Sequence, residues 1–530
     1  MPIGKPYAQD NLKNLPEYSL PLTNTKLVMA HCMTNIIRYK GHPMEDSCNP
    51  DYYAATGNIT APLGGLTQVN VMSDPLLKNA SLDEAVEFEM RAAMKCGIDG
   101  FQFYYTLGNR SWDDIIKAYF RVADKKHLDF KLTLCISHPS GSTEAAKIYE
   151  FSERINSILN TVGHNNPHWL RTPDGRLIIY LWYGEQIADV PAGSDALPEA
   201  YYAARAFKKL GDLVNEKFAC VYVINEQISN DKLNSYLDYF PAVWMWTLPY
   251  TKSYVGRRVA DVCQKRKRTF TGSTFCDFYT SKLLKPGTWD MFVHADDAVN
   301  AGIKHIERKY IATGLSSNFR DLLQFGIDRQ VPIINVITWN DYPEGHHLAP
   351  EVNHNYGFSV LLNYYKSIWQ AKPSPYGDKD VAIAFFKKYR QNIKPDPYYI
   401  PLIKIERNPA GDAIEDSIEV VTILPSPAQL QVNNKTVTIA AGLQSSKFAS
   451  EPGPVKVKIL RNGIITQQFI TPEWITDKPY RTDRLTYSYS TEYQNFQHEL
   501  FGNMPPIYSL QYNADSTRMV SPSTTKKAKE

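Results

Sequence analysis

The 530-residue chain has no apolar run of about 18 residues, the length a helix needs to cross a bilayer, so no integral membrane segment is expected. Cysteine is scarce. The seven present, Cys32, Cys48, Cys96, Cys135, Cys220, Cys263 and Cys276, are odd in number and contain no CxxC, which argues against a disulfide framework and a thiolate zinc site. Cys32, Cys135, Cys220 and Cys276 sit in or beside apolar runs, where a thiol packs as a small hydrophobe. Cys48, in a loop, leaves one bridge open. An excess of one charge is also missing: 58 basic and 55 acidic residues leave +3, and the basic runs are short, Gln264-Lys265-Arg266-Lys267-Arg268 and Lys526-Lys527-Ala528-Lys529. Neither a nucleic acid nor an anionic membrane surface is implied as partner. The opening Met1-Pro2-Ile3-Gly4-Lys5 lacks the apolar stretch of a secretion signal. The expectation is a secreted or periplasmic protein whose signal has been removed, with a cytoplasmic location also open. Oligomeric state is not legible.

What the chain does have is aromatic residues, 12% of the total, with 34 Tyr, 22 Phe and 9 Trp. Such rings pack cores, and they also stack on the apolar faces of sugars. Eight strand candidates can be read: Lys26–His31, Gly97–Tyr105, Phe130–His138, Leu177–Tyr183, Phe218–Asn225, Ala242–Pro249, Thr269–Tyr279 and Pro332–Asp341. Helical patterns separate most of them. Ser81 with Glu84 three residues on has the form of a capping box, followed by apolar residues at helical spacing through Ala85, Phe88, Met90 and Ala93. Further helices are expected over Trp112–Ala123 and Thr143–Leu159. Strands alternating with helices, eight times, predict an α/β fold, a closed (β/α)8 barrel of the TIM type.

The barrel is expected over residues 26–394, after an N-terminal extension over 1–25. A long loop follows its first strand, from about Asp46 to Val71. Pro395-Asp396-Pro397 then punctuates the chain. Past it, short alternating runs at Ser417–Thr422, Gln429–Val432, Lys435–Ile439 and Val455–Leu460 lie beside turn signals at Asn433-Asn434 and Asn462-Gly463. They predict a small antiparallel β-sandwich over 395–514, serving as a buttress. A polar tail over 515–530 is expected to be disordered.

The densest chemistry is Thr338-Trp339-Asn340-Asp341-Tyr342-Pro343-Glu344-Gly345-His346-His347, directly after the apolar run Val331–Ile337. In a (β/α)8 barrel, reactive groups gather where strands end at their carboxyl side. Here an aromatic, an amide, two carboxylates three apart and two histidines meet at one such end. Hydrolysis of a glycosidic bond needs two carboxyl groups, one to protonate the leaving oxygen and one to activate water or attack the sugar. Asp341 and Glu344 are the catalytic candidates, with Trp339, Asn340 and His346 around them. Glu185, Glu226 and Asp277 also fall at or near strand ends, and Asp99 lies within the second predicted strand; a buried carboxylate there needs a partner or a function. His31 and His138 end the first and third strands. No HxH or HExxH spacing occurs, so hydrogen bonding is expected of them rather than metal ligation. Trp246 and Tyr279 are the sugar-platform candidates.

Taken in order, these residues resemble glycoside hydrolase family 71, the α-1,3-glucanases or mutanases. The resemblance is carried by Ala30-His31, Gly97-Ile98-Asp99-Gly100-Phe101, Phe130-Lys131-Leu132, Gly184-Glu185, Phe278-Tyr279-Thr280 and, most specifically, Thr338-Trp339-Asn340-Asp341-Tyr342-Pro343-Glu344-Gly345-His346. It implies cleavage of α-1,3-glucan by inversion, with Asp341 and Glu344 as the catalytic pair and a polysaccharide or oligosaccharide as substrate. Glu344 is read as general acid and Asp341 as base or water-positioner, the reverse assignment staying open, and the chemistry calls for no cofactor and no metal. The chain departs from the pattern where the family's third strand ends in an acid: here stands Cys135-Ile136-Ser137-His138, and Asp277 is the candidate replacement for the missing charge. Two alternatives follow. Asn225-Glu226 resembles the Asn-Glu pair of retaining barrel glycosidases, which suggests a retaining enzyme using Glu226. The absent acid suggests a glycan-binding barrel without catalysis.

Overall fold

The structure is a computed structural model that describes residues 21–42, 71–191, 198–225, 227–246, 256–279, 306–388, 390, 403–407, 416–475 and 484–504. Its centre is a closed barrel of eight parallel strands, as expected. The strands are β1 Leu27–Cys32, β2 Gly100–Tyr105, β3 Lys131–Ser137, β4 Leu177–Trp182, β5 Phe218–Ile224, β6 Ala242–Met245, β7 Thr269–Phe275 and β8 Ile333–Ile337. Each is followed by a helix: α1 Leu82–Lys95, α2 Ser111–Lys126, α3 Glu144–Val162, α4 Glu199–Leu213, α5 Asn230–Leu237, α6 Gly256–Lys265, α7 Ser317–Asp328 and α8 Gly357–Trp369. Most of the strands are nearly continuous apolar runs because both faces are covered, side chains inside and helices outside. β1 pairs β8 on one side and β2 on the other, which closes the ring.

Local chemistry places these elements. Ser81 accepts from the Glu84 N–H while Glu84 reaches back to Ser81, so the capping box forms at the start of α1. Inside the barrel, Asn335 of β8 is the hub of a polar layer. Its Oδ1 accepts from Gln102 Nε2 at 3.1 Å and Tyr180 Oη at 3.0 Å, and its Nδ2 donates to Thr271 Oγ1 at 3.0 Å. The layer crosslinks β2, β4, β7 and β8 beneath the mouth.

The predicted seventh strand breaks. β7 ends at Phe275, and Phe278–Tyr279 pairs instead with Ile306–Ile311, outside the barrel. Asp277 therefore stands at a break and not within a strand. The long loop expected after the first strand falls almost wholly on 43–70, outside the described residues, as do Cys48, Glu226, residues 1–20 and the tail.

The C-terminal part packs two four-stranded antiparallel sheets on each other. One contains β9 Val381–Phe386, β10 Ser417–Leu424, a strand over Gly442–Ala449 and β11 Tyr487–Ser490. The other joins Ala428–Val432, Lys435–Ile439, Gly453–Arg461 and Ile464–Ile475. Asn462 and Gly463 both take positive φ, as a tight hairpin requires. β9 precedes the proline-marked boundary at 394, so the sheet begins inside the segment assigned to the barrel. Its alternation explains why: Ala382, Ala384 and Phe386 enter the sandwich core, while Val381, Ile383 and Phe385 join the barrel core. Among the described residues no helix is long and apolar enough to cross a membrane. The six described cysteines are buried and unbridged.

Candidate active site

β8 delivers the chain to the carboxyl-side mouth of the barrel. Thr338, joined to Ile337 by a cis peptide bond, begins the turn. The Asp341 N–H donates to Thr338 Oγ1 at 2.9 Å, and Asp341 Oδ1 accepts from the Glu344 N–H at 3.3 Å, capping a short 3-10 turn over Tyr342–Glu344. Spacing D-x-x-E thus has a direct consequence: the cap and the residue it caps are the two acids. Gly345 follows at φ +71°, and a Cβ there would lie 2.7 Å from Leu485 Cδ2 and 2.8 Å from the Tyr279 carbonyl. Glycine is required for the chain to return.

It returns to His346, which is buried. His346 Nε2 is 3.0 Å from Glu344 Oε2 and 3.7 Å from Asp341 Oδ2, and its Nδ1 is 3.3 Å from Thr338 Oγ1. The rings of Phe275, Phe278 and Trp246 hold the imidazole at centroid distances of 5.3, 6.0 and 6.2 Å. One donor atom from each of Asp341, Glu344 and His346 lies within 4.8 Å of the others. Asp341 is mostly enclosed, with 9% of its side chain exposed, whereas Glu344 keeps 33%. Asp341 is the more enclosed acid and Glu344 the more exposed. The same atoms could take a cation, a use the site shares with many acidic clusters.

Aromatic rings line the mouth beside this turn. Trp246 stands 4.4 Å from Trp182, 5.1 Å from Trp244 and 5.2 Å from His31, centroid to centroid. His31 is buried, and burial first, then the neighbouring His346, pushes its pKa down to about 3, so it is a neutral hydrogen-bonding group. His138 lies at the rim with positive φ, its ring 4.7 Å from that of Tyr183. Glu185 follows β4 and lines a cavity of about 310 Å³ with Trp182, Tyr183, Tyr222, Asn225 and Lys232. Burial pushes the Glu185 carboxyl above its ordinary range. Trp182 and Tyr183 carry no motif; their position at the end of β4 is the signal the sequence offers for them.

Several selected residues point elsewhere. Asp99 precedes β2 and sits at the amino-side face, opposite the mouth, where it accepts from the Val28 N–H at 2.9 Å and pairs with Lys366 of α8. It fastens the barrel floor. Asp277 is fully buried against the β domain. Burial alone would raise its pKa, but Lys387, His354 and the Thr486 N–H hold it down to about 2. It does not replace a charge at the mouth. Trp339 is completely buried, its Nε1–H donating to Glu89 Oε2 of α1 at 2.6 Å, and is no sugar platform. Asn340 binds backbone: Met33 N–H donates to its Oδ1 at 2.8 Å, and its Nδ2 donates to the Ile36 carbonyl at 2.6 Å. Tyr279 is buried with 1% exposure. For Asp99 and Asp277 the expectation of a partner or a function resolves to a protein partner, and Trp339 and Asn340 likewise bond to protein.

Residues 317–489 match the family model described as glycosyl hydrolase family 71. The match runs from α7 through the Asp341–His346 turn into the β domain, and so bears out the resemblance over that span. It supports a glycosidase. No protein of curated function matches the chain. Among solved structures, a family 99 endo-alpha-mannosidase from Bacteroides thetaiotaomicron is similar at 11% identity and a TM-score of 0.42, over 65% of this chain and 97% of that one. A beta-glucuronidase from Bacteroides uniformis is similar at 10% identity and 0.40, over 77% and 44%. A beta-glucosidase from Thermotoga maritima is similar at 10% identity and 0.33, over 66% and 99%. Likenesses this remote carry no argument about substrate.

Proposed function

We propose that this chain is a glycoside hydrolase that cleaves α-glucosidic linkages, with α-1,3-glucan as the substrate the resemblance favours. The observation that carries the reading is the turn after β8, where Asp341 and Glu344 share His346 at the carboxyl-side mouth of a closed barrel. Glu344, the more exposed acid, is assigned the proton that the leaving oxygen takes. Asp341, held by the Glu344 N–H and facing His346, is assigned the activation of water. Trp246 and Trp182 supply apolar faces for sugar rings. Asp341 and Glu344 oxygens within 4.8 Å are closer than the roughly 6.5–9.5 Å that inversion uses. Inversion therefore requires the two carboxyls to separate when substrate enters, and Glu344 is the more exposed of the pair.

The short separation also favours a second reading, retention through the same pair, since retaining carboxyls stand about 5–5.5 Å apart. Incubation with α-1,3-, α-1,4-, α-1,6- and mixed-linkage glucans tests the substrate, and NMR of the first-formed anomer decides between inversion and retention. Asp341→Asn and Glu344→Gln are each expected to lower kcat by about 10³-fold or more with unchanged folding. Turnover surviving both variants would remove this pair from the chemistry. Binding of a glucan without turnover by the unaltered protein would replace the enzyme with a glycan-binding barrel.

A further inference from the structure

Past His346 the chain runs His347-Leu348-Ala349-Pro350-Glu351-Val352-Asn353-His354 before α8 begins, and the His347, Glu351 and His354 side chains are all sealed from solvent. One donor atom from each lies within 4.8 Å of the others. His347 Nε2 stands 3.3 Å from Glu351 Oε1 without hydrogen-bond geometry, and neither nitrogen of the His347 ring has a hydrogen-bond partner. His354 Nδ1 is 3.1 Å from the His347 carbonyl and 3.7 Å from Glu351 Oε1. Its Nε2 has no hydrogen-bond partner either, and stands 3.6 Å from Asp277 Oδ2. A carbonyl only accepts, so His354 Nδ1 carries a proton and Nε2 is the nitrogen left to ligate an ion. Buried imidazole nitrogens left bare opposite carboxylates are costly.

We propose that His347, Glu351 and His354 form a buried structural site for a divalent transition-metal cation of the zinc type. Imidazole nitrogen with carboxylate oxygen is the donor set such ions take, and magnesium or calcium prefer oxygen alone. Two ligands of a tetrahedral zinc ion, with bonds near 2.1 Å, stand roughly 3.4 Å apart, and the His347–Glu351 separation matches. The outer support is also present. The His354 Nδ1–H is fixed by a carbonyl, and the Glu351 carboxylate accepts from the Asn353 N–H at 2.6 Å and the His354 N–H. Lys387, 3.5 Å from Asp277 Oδ2, already neutralises that carboxylate, so the ion's charge falls on Glu351. Full burial gives substrate no access, so the role assigned to the site is structural. It backs the catalytic turn, since the His347 ring lies 4.7 Å from that of Tyr342 and is the neighbour of His346. The spacings four and three differ from HxH and HExxH, so motif reading passes over them.

The test uses the untagged full-length protein, produced with added zinc, dialysed, and analysed for metal by mass spectrometry. About one ion per chain is expected, with a Tm fall of about 5 °C or more on chelation by phenanthroline, reversed by zinc and not by magnesium. His347→Leu is expected to lose the ion and the chelator response. A wild-type protein with less than roughly a tenth of an ion per chain despite added zinc would overturn the site, whatever the stability of the variant. Neither readout depends on the glycosidase reading.

Discussion

Glu89 shows how a single buried carboxyl can make the whole fold pH-sensitive. It lies on α1 with its Oε2 accepting from the Trp339 indole, and burial, stronger than that bond, raises its pKa from 4.5 to about 7. A raised acid pKa means the folded state holds a proton that the unfolded chain has released. The stabilising contribution is complete below pH 4.5 and is lost as pH rises to about 7, by roughly 3 kcal/mol at most. Buried His31, whose lowered pKa acts in the opposite direction below pH 6.5, shapes the same window, so the Glu89 contribution is read as a difference. Glu89→Gln keeps the acceptor for Trp339 and removes the titration, so wild-type Tm should fall relative to this variant as pH rises from 4.5 to 7.5. A difference that stays constant with pH would assign no titration to Glu89. At this scale the sequence reading erred in one direction. Trp339 and Asn340 were rightly singled out from their motif, yet the indole and amide satisfy α1 and the β1 loop rather than a sugar.

At the scale of the element, the turn after β8 is the least substitutable part of the chain. Gly345 combines φ +71° with space that a Cβ would share with Leu485 and the Tyr279 backbone. Gly345→Ala should therefore cost about 2–3 kcal/mol, visible in denaturant midpoints, and lower kcat further by displacing His346 from Glu344. Loss of stability with kcat intact would separate the turn from the chemistry. The barrel strands, the capping box at Ser81 and the hairpin at Asn462-Gly463 were legible because each rests on short-range periodicity or on a residue's own φ preference. The break after β7 was not legible. Apart from Asp277 the run stays apolar to Tyr279, and only the competing pairing with Ile306–Ile311 shows that the ladder has changed partner.

For the whole molecule, the question is what joins the barrel to the β domain. β9 carries apolar residues on both faces, one set for each core, and Asp277 crosses the junction to Lys387 and the Thr486 N–H. A buried ion pair broken on one side leaves an uncompensated charge. Lys387→Met should cost about 3–5 kcal/mol, and adding Asp277→Asn should restore much of that in a double-mutant cycle. Additive losses would show that the pair is not the fastening. The sequence by itself determined the number of strands, their alternation with helices, the hairpins of the C-terminal part and the D-x-x-E turn, since these follow from local spacing. Only the tertiary structure decided where each carboxylate points. Asp99, Asp277, Glu185 and Asp341 all lie near strand ends or strand breaks, yet one faces the barrel floor, one the β domain, one a side cavity and one the mouth. Direction depends on which end of a strand the residue occupies and on which chain-distant partner reaches it first, and both are fixed when the ring closes and the second domain docks.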